Sequence, residues 1–225
     1  MTAPTPPLAE TRDAAGPDAT AAFTSDPLAF GVGARITAAV MSDRYVEIIT
    51  DALGAVDAAG LVVDSGDVST YAGGSESNLL RYLTRLSAEI AASGAHASIV
   101  VHLSRGCPGE VVCALPGGAG PRAVELPQGE LTGQFAAAEW ALYPLEDAGR
   151  DGVEPDHMRD IYAAIDQAKL NGTFVASEHF VTRLEGDLGT ILETVVSGWA
   201  RVGRNVQHVT SHLTISVNSP SPGAR

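Results

Sequence analysis

The chain has 225 residues, a formal net charge of −13 and a sequence pI of 4.7. No Lys/Arg cluster offsets that charge, which excludes a nucleic-acid backbone as a natural partner. Hydrophobic residues make up 45% of the chain and aromatics 5%, enough apolar sequence to exclude global disorder but a core built mainly on Ala and Val.

Met1 to about Phe30 is rich in Ala, Pro, Thr and Asp without helical or strand period, and reads as a disordered tail. It lacks the basic start and apolar run of a signal peptide, and no apolar run is long enough to insert into a membrane. The expectation is a cytoplasmic protein whose cysteines, Cys107 and Cys113, are reduced thiols.

A first repeat is expected over residues 31–115. Arg35 to Met41 alternates as a strand, and Asp43 to Ala59 carries Val46, Ile49, Leu53 and Val56 at helical spacing. Gly60 to Gly74 reads as a β-hairpin joined at Ser65-Gly66-Asp67. Ser75 or Ser77 is a candidate N-cap for a helix that runs to Ser93 with Leu79, Leu80, Leu83, Leu86 and Ile90 inward. Ala97 to Ser104 is a strand, and Ser104 to Glu110 a turn. Glu110 to Leu115 is a candidate extra strand, and residues 116–131 read as linker from their Gly and Pro content.

The second repeat is expected over residues 132–218, with a polar tail at 219–225. Gln134 to Leu142 is a strand, followed by Tyr143-Pro144 and an acidic loop through Asp151. Met158, Ile161, Ile165 and Ala168 mark a helix. Gly172 to Gly186 then repeats the first hairpin at a constant offset, so that Gly60, Val63, Ser65, Thr70 and Gly74 answer to Gly172, Val175, Ser177, Thr182 and Gly186. Leu188 to Val202 is helical and Asn205 to Asn218 is the last strand. Each half is thus β-α-β-β-α-β. The predicted fold class is α+β: two tandem ferredoxin-like repeats, antiparallel sheets with helices on one face.

Helices on one face leave the other open, so the polar residues of the strands are informative. His102-Leu103 is matched to His212-Leu213, which gives each repeat a histidine and then a hydroxyl away from the helices. His208 and His212 are roughly 13 Å apart by strand rise, too far to share one metal ion. Further candidates are Arg35, Asp67, Ser69, Thr70 and Tyr71 in the first repeat, with Glu139, His179, Thr182, Arg183 and Asn218 in the second. Turn chemistry explains Asp67 and His179 equally well. Catalytic motifs are lacking, and Cys107 near His102 sits in a Cys-Pro-Gly turn. No cofactor is expected and the chain is not read as an enzyme.

Asp67-Val-Ser-Thr70, Ser104-Arg-Gly-Cys-Pro-Gly-Glu110, Ala34-Arg35-Ile36 and Leu142-Tyr-Pro-Leu145 together resemble the YkoF family of thiamine- and hydroxymethylpyrimidine-binding proteins. The resemblance spans about Gly31 to Asn218 and rests on the order of the motifs and the duplication. It implies tandem ferredoxin-like (ACT-like) repeats, a homodimer and a ligand site in each repeat, serving thiamine salvage or transport, with a transporter as a further partner. The sequence departs from the pattern at Ser42-Asp43-Arg44, where a Leu-Tyr-Pro run is expected, and at His179-Phe-Val-Thr182. Carried over, the first site would use Asp67, Ser69, Thr70, Ser104 and Arg35, and the second Glu139, Thr182, Thr214 and Asn218. An ACT-like regulatory or structural oligomerisation module is the alternative; a cysteine-dependent enzyme is weaker still.

Overall fold

A computed structural model describes residues 21–22, 24–107, 120–145 and 156–221, with nothing on the His157 side chain. The order is β1 (Gly33–Val40), α1 (Tyr45–Ala55), β2 (Leu61–Ser65), β3 (Thr70–Gly74), α2 (Glu76–Ala92) and β4 (Ala97–Arg105). It repeats as β5 (Phe135–Leu145), α3 (His157–Leu170), β6 (Phe174–Ser177), β7 (Thr182–Asp187), α4 (Leu188–Val202) and β8 (His208–Val217). This is the tandem ferredoxin-like arrangement expected from the sequence. The extra strand at Glu110 to Leu115 and the acidic loop at 146–151 lie outside the described residues. No described helix is long and apolar enough to cross a membrane.

The eight strands form one antiparallel sheet in the order β2-β3-β1-β4-β8-β5-β7-β6. The repeats are therefore joined edge to edge through β4 and β8. Burial alternates along the central strands: Ile99, Val101 and Leu103 are buried, as are Val209, Leu213 and Ile215. This face packs against the helices through Leu79, Leu83, Ile191, Val195 and Trp199. The opposite face carries Arg35, His102, Glu139 and His212, all exposed.

Pair registers fix the internal equivalence. Ile36 pairs with Thr70 and Val101, while Trp140 pairs with Thr182 and Leu213. Ile36 therefore corresponds to Trp140, Thr70 to Thr182 and Val101 to Leu213. Val101 is also the cross-strand partner of Leu213, so a pseudo-twofold axis passes between them. One expectation changes here. His102 and His212 face each other across β4 and β8, but they are not equivalent. His102 corresponds to Thr214 and Val100 to His212, two positions away from the sequence match. Sequence identity favoured aligning the histidines, whereas the hydrogen-bond ladder fixes the register.

Three boundaries also differ from expectation. Phe30 is fully buried, and its carbonyl accepts from Gly106 N at 3.0 Å, so the ordered chain begins before the expected end of the tail. A single aromatic between Ala29 and Gly31 has no period by which to announce itself. Helix α1 ends at Ala55 because Val56 is extended and Asp57 caps its own turn, accepting from Ala59 N at 2.9 Å. Strand β5 continues through Tyr143 and Pro144 to Leu145. Beyond Trp140 no partner on the β7 side pairs with it, and Pro144 needs no N–H there.

Small residues admit the large ones. A side chain at Gly198 on α4 would strike the Trp140 ring, at 2.7 Å from its Cβ. The buried indoles are satisfied: Trp140 Nε1 donates to Ser211 Oγ at 2.8 Å and Trp199 Nε1 to Val209 O at 3.0 Å.

The two long helices start at equivalent caps. Ser75 Oγ accepts from Asn78 N at 3.3 Å. Asp187 does more: it accepts from Gly189 N at 2.8 Å, Thr190 N at 3.2 Å and Gly133 N at 2.7 Å, and from both N and Oγ1 of Thr132. It thereby ties the inter-repeat segment to α4. Burial alone would raise the Asp187 pKa, but the donors of Thr132, Gly133 and Thr190 outweigh it and hold the group below its ordinary value. Asp187→Ala is expected to cost about 2 kcal/mol and to lower Tm by roughly 4–8 °C. A folded-state pKa below the unfolded one gives stability above the ordinary carboxylate range, lost as pH falls through the folded value. Denaturation of both proteins from neutral to acidic pH should therefore show their stabilities converging in acid. A constant gap would remove the electrostatic part of the account.

Candidate functional site

Each repeat carries a solvent-open cavity in the same place, between its first helix, its first strand and the tip of its hairpin. The first, about 150 Å³, is lined by Ile36 and Thr37 of β1, Ile49 and Leu53 of α1, and residues 65–70. The second, about 470 Å³, is lined by Trp140 to Tyr143 of β5, by Met158, Ile161, Tyr162 and Ile165 among the α3 residues, and by the tip residues Ser177, Glu178 and Phe180 to Thr182, but not by His179. Ligand pockets for small molecules ordinarily run about 300–1,000 Å³. The second cavity is therefore of ligand size and the first is small.

The hairpin tips are built alike. Gly66 N donates to Ser69 O at 3.0 Å, and Glu178 N to Val181 O at 2.9 Å. The two central residues are Asp67-Val68 in one and His179-Phe180 in the other. Each tip thus holds out an apolar side chain: Val68 is 75% exposed and Phe180 93% exposed. Phe180 also has φ of 69°, a left-handed conformation that is unfavourable for a bulky L-residue.

The predicted residues divide between two faces. Asp67, Ser69 and Thr70 come together at the first cavity, with Ser65 Oγ and Thr70 Oγ1 2.9 Å apart. Arg35 lies on the open face. It reaches around to Ser69 Oγ at 3.3 Å, with its guanidinium 5.6 Å from the Tyr71 ring centroid. Ser104 is not near them: it pairs with Gly33, three residues beyond Val101 and roughly 10 Å along the strand.

In the second repeat, Thr182 lines the cavity. Glu139 and Thr214 pair on the open face, on the other side of the sheet. Asn218 has a structural task, donating to Ala91 O at 2.7 Å and Ala95 O at 3.1 Å. Among the described residues there is no group of three or more His, Cys, Asp or Glu placed to hold a metal ion.

The sequence reading passed over most of the second cavity's wall. Trp140, Tyr143, Tyr162 and Phe180 all line it. The chain has only 12 Phe, Trp and Tyr residues, so four at one cavity is a marked concentration. Polar groups interrupt this aromatic wall at Ser177, Glu178 and Thr182. Such a set can stack a planar ring, offer a carboxylate and two hydroxyls to its edge, and favour a cation.

A model of the YKOF-related family matches residues 31–110 and 135–222, the two repeats. The chain belongs to this family. It is also 28% identical over 189 residues to the Bacillus subtilis (strain 168) protein named "Putative HMP/thiamine-binding protein YkoF", covering 84% of this chain and 91% of that one. The family match falls on both hairpins and both cavities, and leaves out residues 111–134 between the repeats.

Proposed function

We propose that this protein binds thiamine or its hydroxymethylpyrimidine moiety without catalysing a reaction, in thiamine salvage or transport. The observation that carries the reading is the aromatic, carboxylate-bearing cavity of about 470 Å³ in the second repeat. Family membership and the name of the Bacillus relative point to the same chemistry. The aromatic residues would stack the aminopyrimidine, with Ser177, Glu178 and Thr182 at its polar edge. The first cavity, with Asp67, Ser69 and Thr70, would take the pyrimidine moiety more weakly because it is smaller. Ser104, Glu139, Thr214 and Asn218 stand apart from both cavities.

A thermal-shift titration tests this. Thiamine or hydroxymethylpyrimidine at about 100 times its dissociation constant should stabilise the fold by about 2.7 kcal/mol. Asp67→Ala should leave the tighter site intact and remove the weaker one. Sedimentation in the same samples reads the accompanying homodimer, which would cover part of the open face. If none of thiamine, its phosphates or hydroxymethylpyrimidine shifts the transition, the binding function is wrong and the oligomerisation-module reading replaces it.

A further inference from the structure

The two hairpin cavities share an architecture but not a charge pattern. Among the described residues that line the second cavity, Glu178 alone is charged; no lysine, arginine or histidine lines it. Glu178 is exposed and belongs to no ion pair among the described residues. The arginine beside Met158 is committed elsewhere. Arg159 Nε and Nη2 donate to Asp160 at 3.1 and 3.2 Å. The start of α3 is likewise answered by an acid, since Asp156 accepts from Arg159 N at 2.9 Å.

The first repeat supplies a control. Its cavity also has a single charged lining residue, Asp67, again an acid at the hairpin tip. There, however, a cation stands close: Arg35 Nη1 donates to Ser69 Oγ at 3.3 Å, and Ser69 lines the cavity. The register that equates Ile36 with Trp140 equates Arg35 with Glu139. The second repeat therefore keeps a tip carboxylate, moved by one position from the place of Asp67 to Glu178, and puts an acid where the arginine was.

We infer that the second cavity selects the unphosphorylated ligand and rejects its phosphate esters, with Glu178 as the residue that sets this choice. This rests on the thiamine reading of the cavity and narrows it. A phosphate monoester carries about −1.5 to −2 charges at pH 7. Held beside Glu178 it meets like charge, and no lining arginine or lysine answers it. The thiazolium of thiamine is a cation and gains from both the carboxylate and the aromatic rings. The net charge of −13 acts in the same direction at longer range.

The test is calorimetric titration of the full chain with thiamine, thiamine monophosphate and thiamine diphosphate at low ionic strength. All proteins carry Asp67→Ala, so that the second cavity is read alone. Thiamine should bind at least tenfold more tightly than the monophosphate, with the diphosphate weaker still. Adding Glu178→Gln should weaken thiamine by about tenfold, the worth of a charge-assisted hydrogen bond. It should leave the monophosphate unchanged or tighter, so that the preference collapses. A merely structural role would weaken all three alike. Adding Glu89→Gln instead removes the same charge from an exposed position on α2 and should alter none of them. Equal affinities for the three ligands, or a Glu178→Gln variant that scales all three alike, overturn this inference while thiamine binding stands. Absence of binding by all three overturns the thiamine reading as well. The ligand ratio with Glu178 in place is decisive without the Glu178→Gln variant.

Discussion

Glu76→Leu is expected to destabilise the protein by about 3–5 kcal/mol, a large fraction of the roughly 5–15 kcal/mol that holds a typical domain. Glu76 is fully buried at the start of α2. Its carboxylate accepts from Arg122 Nη1 at 2.7 and 2.8 Å and lies 3.4 Å from Arg105 Nη1. Arg105 is itself fully buried, between the Phe30 and Trp199 rings, each centroid 5.8 Å from its guanidinium carbon. It donates to Ala200 O and Arg122 O. Burial lowers its pKa to about 10, against the attraction of Glu76, and the cations of Arg122 and Arg204 add to the lowering. It therefore stays charged at neutral pH. Without Glu76, that charge is buried with no counter-ion.

The other repeat shows what the same positions hold without charge. Glu76 corresponds to Leu188 and Arg105 to Val217, both buried. The ion pair thus stands where an apolar pair suffices. Its distinguishing feature is that it joins both repeats and the segment at Arg122. The double variant Glu76→Leu with Arg105→Val should therefore lose less than the sum of the single variants, by about 1–3 kcal/mol of coupling. Urea denaturation of the four proteins measures this. A single Glu76→Leu cost below about 1 kcal/mol would mean that water or rearrangement already satisfies Arg105.

The fold was legible because periodicity and duplication both act locally. Leu79, Leu83 and Leu86 lie on one helix face whatever α2 packs against, and the paired hairpins declare themselves by glycine spacing. The edge-to-edge joining of β4 and β8 was not legible. Each strand alternates in the same way whether its neighbour is in its own repeat or the other. Glu76 reads as an ordinary first-turn acid, and Arg105 as part of a turn, because their partners come from distant elements. For the site, Asp67 to Thr70 mark the corner of the first repeat where its cavity lies. The matching corner of the second was hidden by substitution: Asp67-Val68 became His179-Phe180, and Ile36 became Trp140. Reading for retained polar residues passed over the aromatic gain there, although the cluster of Trp140, Tyr143, Tyr162 and Phe180 was available in the sequence.

Phe180→Gly is expected to weaken ligand binding while leaving the fold as stable or slightly more so. The two effects come from different links in the chain of cause. Phe180 gains almost nothing from burial, at 93% exposed, and its φ of 69° costs a bulky residue about 1–2 kcal/mol. Glycine removes that cost but adds roughly 0.5–1 kcal/mol of backbone entropy, so the net change should lie between zero and about 1.5 kcal/mol in favour of folding. A strained, exposed aromatic is unexplained by stability, which makes function the better account of its place at the cavity mouth. There it stands with Tyr162 and Tyr143 around the same opening. Losing one stacking ring should cost about 1–3 kcal/mol of binding, by analogy with base–aromatic contacts, or roughly 5- to 150-fold in dissociation constant. Calorimetric titration with thiamine, beside urea denaturation of the unliganded proteins, reads the two quantities separately. Weaker binding with lower stability would make Phe180 a structural residue. Unchanged binding with higher stability would move the ligand away from this cavity.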